Sequence, residues 1–207
     1  MIPSSPFLCV ITDEALCPVA VAEQALKGGA AMIQLRHKRA SGSQLFAWAV
    51  EIRNQCQKYQ ALFIINDRVD IAMASKADGV HLGQQDLPAL VARKLLGKEC
   101  IIGISASSLE EALRAEKDGA NYIGFGHIYP TLSKEKGFPP LGTEALLNAA
   151  AFISLPIIAI GGVSLENASS LISCGATGVA VISAVSRTDD PARAASELVA
   201  ALKRKKS

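Results

Sequence analysis

Gln34, Arg36 and Lys38 alternate along the chain. A period of two places them on one face of an extended segment. Two cations and an amide on one face suit a phosphate or a diphosphate. A strand end with snorkelling charges is the competing reading. Asp67 and Asp86 each close a short apolar run. Two carboxylates near phosphate-binding cations suit Mg²⁺, with water and substrate oxygens as the remaining ligands. Each also stands before a helical stretch, where a carboxylate serves equally well as an N-cap. Thr131, Ser133 and Lys134 lie on a long Pro- and Gly-containing loop, 127–142, and offer two hydroxyls and a cation to an anion. Gly161-Gly162 and Ser183 follow two further apolar runs, at positions where backbone N–H groups commonly hold a phosphate. His127, after Gly126, has the side chain of a neutral-pH acid or base, or of a structural histidine.

These residues follow the ends of eight short apolar runs: Phe7–Thr12, Met32–Leu35, Leu62–Ile65, Gly79–Leu82, Cys100–Ser105, Tyr122–Phe125, Pro156–Ile160 and Gly178–Ile182. Such runs read as buried strands, and the stretches between them carry helical periodicity. Helices are expected over Val19–Lys27, Ser43–Tyr59, Leu87–Leu96, Leu109–Lys117, Glu144–Phe152, Leu165–Ile172 and Pro191–Lys203, with a turn or two at Val69–Ala74. One joint recurs: Gly29-Ala30-Ala31, Asp78-Gly79-Val80, Gly119-Ala120-Asn121 and Gly175-Ala176-Thr177. Gly just past a helix takes the left-handed cap cheaply, and the chain then enters a strand. Repetition of a β/α unit predicts a parallel sheet with helices outside. Eight units fit an α/β, closed (β/α)8 TIM barrel, for which about 200 residues is the lower limit. An open doubly wound sheet is the alternative, but no GxGxxG turn is present. In a barrel all eight strand C-termini meet at one mouth, so the candidate residues would converge there.

The composition agrees. The chain has 207 residues, half of them hydrophobic and 19% charged. That suits one buried core, read as a single barrel domain over 1–207 with a basic tail at about 203–207. The net charge is +2, and the four tail cations Lys203, Arg204, Lys205 and Lys206 exceed that surplus. The body is therefore not basic, which argues against nucleic acid as a partner. No apolar run approaches the roughly 18 residues of a membrane span. The first residues lack the basic start of a signal peptide. Five cysteines without a CxxC pair read as reduced, mostly buried thiols in a cytoplasmic protein. A homo-oligomer is compatible with the sequence, which does not specify one.

The motifs Gln34-Leu35-Arg36-His37-Lys38, Ile65-Asn66-Asp67-Arg68, Asp78-Gly79-Val80-His81-Leu82-Gly83-Gln84-Gln85-Asp86, Gly124-Phe125-Gly126-His127-Ile128-Tyr129-Pro130-Thr131 and Ile160-Gly161-Gly162-Val163 together resemble the thiamin-phosphate synthase and thiazole tautomerase family. The similarity runs nearly end to end, and the family fold is a (β/α)8 barrel. The resemblance implies that a hydroxymethylpyrimidine diphosphate loses pyrophosphate to a thiazole phosphate nitrogen. Both partners would be small molecules. It further implies that Arg36, Lys38, Asn66 and Lys134 hold the diphosphate and that Gln34 and Ser105 contact the pyrimidine. Asp67 and Asp86 would hold Mg²⁺. Thr131, Ser133, Gly162, Ile182 and Ser183 would hold the thiazole phosphate. The chain departs from the synthase pattern at His127, where Pro is usual, and at Ser107, where His is common. His127 suits the tautomerase branch, as acid or base on a thiazole carboxylate phosphate. The intact cation and carboxylate set suits the synthase. A non-catalytic barrel that binds a phosphate ligand is the third expectation.

Overall fold

A computed structural model describes residues 1–4, 6–131 and 137–203. Ser133, Lys134 and the tail beyond Lys203 lie outside the described residues. The elements run β1 Phe7–Ile11, α1 Pro18–Lys27, β2 Met32–Leu35, α2 Gly42–Tyr59, β3 Leu62–Asn66, α3 Val69–Ser75, β4 Gly79–Leu82, α4 Ala89–Leu96 and β5 Ile101–Ala106. They continue α5 Leu109–Lys117, β6 Tyr122–Gly126, α6 Gly142–Phe152, β7 Ile157–Ile160, α7 Ala168–Ser173, β8 Gly178–Val181, α8 Ser183–Ser186 and α9 Pro191–Lys203. Every expected strand is present, each with its ends within one residue of the sequence reading.

All neighbouring strands pair in parallel, and β1 closes on β8 through Phe7↔Gly178 and Cys9↔Ala180. The result is a closed (β/α)8 barrel. Strand periodicity divides its apolar residues into two shells. Phe7, Cys9 and Ile11 point inward, beside Met32, Ile64, Ile101, Tyr122, Ile158 and Ala180. Leu8 and Val10 point outward into the layer shared with the helices. Many helix residues facing that layer are alanines, such as Ala22, Ala49, Ala92, Ala112, Ala149 and Ala195, all fully buried. Small side chains let helices lie close to the strands, which suits a barrel of this length.

The helix starts follow familiar chemistry. The Ser41 hydroxyl accepts from the Gln44 amide at 3.2 Å and caps α2. Ser108 caps α5 from the Glu111 amide, and Glu111 accepts in return from the Ser107 amide and hydroxyl at 2.6 and 2.8 Å. Ser107, at the family's usual His position, is thus engaged in a capping arrangement.

Two expectations are corrected, and one element is new. The recurrent joint does use a left-handed glycine at Gly29, Gly119 and Gly175, with φ of 89°, 84° and 95°. At the Asp78-Gly79 joint the left-handed residue is instead Lys76, at φ 54°. Gly79 is already in the strand, where a β-carbon would meet the Ile101 carbonyl oxygen at 2.2 Å. The cysteines are not mostly buried: Cys9 and Cys56 are, Cys17 is exposed, and Cys100 and Cys174 are intermediate. The strand rule places a run's apolar residues inside, and Cys17 lies before α1 while Cys100 precedes β5. The four-residue α8 was not foreseen, because it is too short to show a helical period. Among the described residues, no helix is long and apolar enough to cross a membrane.

Candidate active site

A cavity opens at the C-terminal end of the barrel. Its floor is the top of the interior core, with Cys9, Ile11, Tyr122, Ile158 and Ala180 among its lining residues. Above them stand Gln34, Arg36, Asn66, Ser105, His127, Thr131, Gly161, Gly162, Ile182 and Ser183. Ten sequence-expected residues, drawn from six of the eight strand ends, therefore line one cavity. Inward parity explains four of them: Gln34 follows Met32 by two, Asn66 follows Ile64, Ser105 follows Gly103, and Ile182 follows Ala180.

Lys38, Asp67 and Asp86 do not line this cavity. They form a cluster beside it, next to the cavity-lining Asn66. Lys38 Nζ lies 3.7 Å from Asp67 Oδ2. The Asp67 and Asp86 carboxyls lie close enough to act on each other. Burial first, then the hydrogen bond and charge of Asp86, hold the Asp67 carboxyl above the usual carboxylate range, with Lys38 and Asn66 pulling the other way. Neither carboxylate is a helix cap. The N-cap of α3 is Arg68, without a side-chain bond, and that of α4 is Pro88. Asp86 Oδ2 instead accepts from the Gly83 amide at 2.6 Å, closing its own turn. Asp67 sits in the left-handed region at φ 62°, its amide bonded to the His81 carbonyl at 2.8 Å. Among the described residues no three His, Cys, Asp or Glu side chains converge. The candidate cation site thus has two protein carboxylates. Two carboxylates pressed together at a partly buried position repel, and a hard cation between them would relieve that, so the donor set fits Mg²⁺.

Arg36 is held from two sides. Thr12, fully buried, accepts from the Arg36 amide at 2.9 Å and donates to its carbonyl at 3.0 Å. Glu14 takes the guanidinium at 2.8 Å and also lies 3.7 Å from Arg39. The end of β1 is tied to α8 in a similar way. Asp13 accepts from Arg187 Nε at 2.7 Å and from the Ala15 amide at 3.0 Å. The hydrogen bond from Arg187 is the main reason the Asp13 carboxyl stays below its ordinary range.

His127 is 6% exposed, lines the cavity and packs on Phe138 with ring centroids 5.1 Å apart. Gly161 and Gly162 have φ of 98° and 64°. A β-carbon on Gly162 would reach 2.4 Å from the Pro130 carbonyl oxygen, so the backbone here passes close beneath the 127–131 segment. Ser133 and Lys134 fall outside the described residues.

The sequence reading passed over Glu14, His81 and Tyr122. His81 is 9% exposed and lines the cavity, and its ring lies 5.5 Å from that of Tyr122. Its Nδ1 is 3.0 Å from the Tyr122 hydroxyl and its Nε2 is 2.9 Å from Ser105 Oγ. Burial raises the Tyr122 phenol well above its ordinary pKa. The room for two rings comes from glycines. A β-carbon on Gly103 would fall 2.0 Å from Tyr122 Cζ, and one on Gly124 would fall 2.8 Å from His81 Cε1. That pair of inward glycines on adjacent strands was the available signal.

A closed parallel barrel with amide, hydroxyl, cation and carboxylate side chains gathered at its C-terminal mouth defines a (β/α)8-barrel enzyme. The sequence matches the family described as thiamine monophosphate synthase over residues 8–185. It is 61% identical to the thiamine-phosphate synthase of Chlorobium limicola over 204 residues, 99% of this chain and 97% of that one. It is 62% identical to that of Chlorobium phaeovibrioides over 199 residues, 96% of this chain and 95% of the other. The solved structure of thiamine phosphate pyrophosphorylase from Pyrococcus furiosus superposes with a TM-score of 0.90 at 40% identity, covering 97% of this chain and 96% of that chain. The chain belongs to the thiamine monophosphate synthase family.

Proposed function

We propose that this chain joins hydroxymethylpyrimidine diphosphate to thiazole phosphate, giving thiamin monophosphate and pyrophosphate. The carbon–oxygen bond to the diphosphate breaks, and its electron pair leaves with the diphosphate. The thiazole nitrogen then supplies the pair that closes onto the exposed methylene carbon. The pyrimidine's amino group stabilises the cation between those events, so no protein nucleophile is required.

The observation that carries this reading is the cluster of Asp67, Asp86 and Lys38 at the edge of the cavity beside Arg36 and Asn66. A leaving diphosphate gathers negative charge, and preplaced positive groups stabilise it without reorganisation. Arg36 and Lys38 supply that charge and Asn66 a neutral donor; Lys134, outside the described residues, takes the same part by the family resemblance. Asp67 and Asp86 would hold Mg²⁺, which supplies further neutralisation of the diphosphate oxygens. Gln34 and Ser105 receive the pyrimidine. Thr131, Ser133, Gly161, Gly162, Ile182 and Ser183 receive the thiazole phosphate through hydroxyls and backbone amides.

Purified protein incubated with both substrates and Mg²⁺ is expected to form thiamin monophosphate, and to lose that activity in excess chelator. No product, under conditions where another synthase of the family works, overturns the proposal. A thiazole tautomerase with His127 as acid or base is the second reading, favoured by the place of His127 in the cavity wall. It gives the paired carboxylates no task, and the curated relatives carry the synthase name. Isomerisation of a thiazole carboxylate phosphate alone, abolished by His127→Ala, would favour it.

A further inference from the structure

We infer that His81 is a positioning residue: a one-way hydrogen-bond relay, Tyr122 to His81 to Ser105, turns the Ser105 hydroxyl proton toward the cavity and selects a ligand ring that presents a hydrogen-bond acceptor there. The inference deepens the proposed reaction and rests on it for the identity of that ring.

The direction of the relay follows from hydrogen-bond accounting. Tyr122 is 1% exposed. His81 Nδ1, at 3.0 Å, is the hydrogen-bond partner of its hydroxyl among the described residues. A buried O–H without an acceptor is costly, so Tyr122 donates and Nδ1 accepts. The imidazole proton is therefore on Nε2. That nitrogen lies 2.9 Å from Ser105 Oγ and donates to it. Ser105 has now accepted, and its own proton remains to be given. Its backbone carbonyl is taken by Gln84 Nε2 at 2.7 Å, and Ser105 lines the cavity. Ser105 thus acts as a donor to ligand and not as an acceptor from it. An unprotonated nitrogen of a pyrimidine ring matches it; a C–H at that ring position leaves the donor unpaired. The arrangement is built into the barrel: Gly103 and Gly124 vacate the interior space that the Tyr122 and His81 rings fill.

Two measurements test this. The first is nitrogen-15 NMR of the intact protein labelled at its three histidines, with His81→Gln identifying the His81 signal. A protonated Nε2 and an unprotonated Nδ1 are expected. The opposite tautomer overturns the relay, and this readout holds even if the protein turns over neither substrate. The second is steady-state kinetics with pyrimidine diphosphate and an analogue in which one ring nitrogen is replaced by C–H. Wild type should prefer the pyrimidine over the analogue that lacks the nitrogen facing Ser105 by at least about tenfold in kcat/KM. Tyr122→Phe and Ser105→Ala should each erode that preference. The double variant should be no worse than Ser105→Ala alone, and KM for thiazole phosphate should not move. Additive losses, or a preference that survives Tyr122→Phe, would refute the relay. Absence of product from wild type would refute the proposed reaction instead.

Discussion

Replacing Asp67 with Asn should stabilise the metal-free fold while removing activity. Asn keeps the shape of Asp and tolerates the left-handed backbone at φ 62° nearly as well, so no strain is added. What changes is charge. Two unit charges in contact repel by about 4 kcal/mol at an effective dielectric near 20. Partial exposure of Asp67, 26%, and Lys38 at 3.7 Å offset much of this. The lost Lys38 pair returns only about 0.2–1 kcal/mol. A net gain of about 1–2 kcal/mol remains, within the range of favourable single substitutions, and corresponds to a melting temperature higher by roughly 2–8 °C for a chain of this size. Folding raises the Asp67 pKa. The neutral carboxyl therefore favours the fold fully below the unfolded value, about 3.9, and that contribution is lost as pH rises through the folded value. The advantage of the variant should accordingly be full at neutral pH and shrink in acid. Thermal unfolding in chelator across pH measures it. With Mg²⁺ added, wild type should gain stability that the variant does not. Thiamin monophosphate formation by the variant should fall by roughly 100-fold or more, the scale of losing one preorganised charge-stabilising group. A variant that melts below wild type in chelator at neutral pH would refute the reading of the carboxylate pair.

Other outcomes follow from features away from the reacting groups. Arg93 ties the carbonyls of Gly97, Lys98 and Cys100 to the Asn121 side chain, at distances between 2.5 and 3.3 Å. Arg93→Ala should cost about 1–3 kcal/mol in denaturant unfolding while leaving kcat unchanged, because the clamp lies at the opposite end of β5 from Ser105. Burial pushes the Cys9 and Cys56 thiols up to about 12. A thiol reagent at pH 8 should modify exposed Cys17 first and reach Cys9 and Cys56 only on unfolding, as peptide mapping would reveal. Asp13→Asn should raise KM for thiazole phosphate severalfold with little change for the pyrimidine substrate, because Asp13 anchors Arg187 just beyond α8 and the cavity-lining Ser183. The depressed Asp13 pKa adds stability present above the unfolded carboxylate pKa and lost as pH falls through the folded one, so acid unfolding of this variant should begin from a lower baseline.

The barrel was legible in the sequence because parallel strands buried on both faces are short, continuous apolar runs, and eight of them stand clear of helical periodicity. Parity along those runs was enough to send Gln34, Asn66, Ser105 and Ile182 to one cavity. The carboxylates were harder to assign. Asp67 and Asp86 sit where caps sit, and only three-dimensional contact separates a cap from a pair. Glu14 and His81 were passed over for a related reason. Each acts through a partner distant in sequence: Glu14 on Arg36, His81 between Tyr122 and Ser105. Chain order carries no record of such pairings. The space that admits the two rings is written only as glycines, which local rules interpret as turns.

Apolar side chains fill the barrel beneath the cavity, so among the described residues the approach is from the C-terminal mouth. Whatever rests on Cys9 and Tyr122 must come in ahead of whatever occupies the edge near Lys38 and Asp67, and must wait for it to clear before departing. For the reaction proposed here the flat ring enters leading, its charged end trailing, and pyrophosphate heads the queue outward.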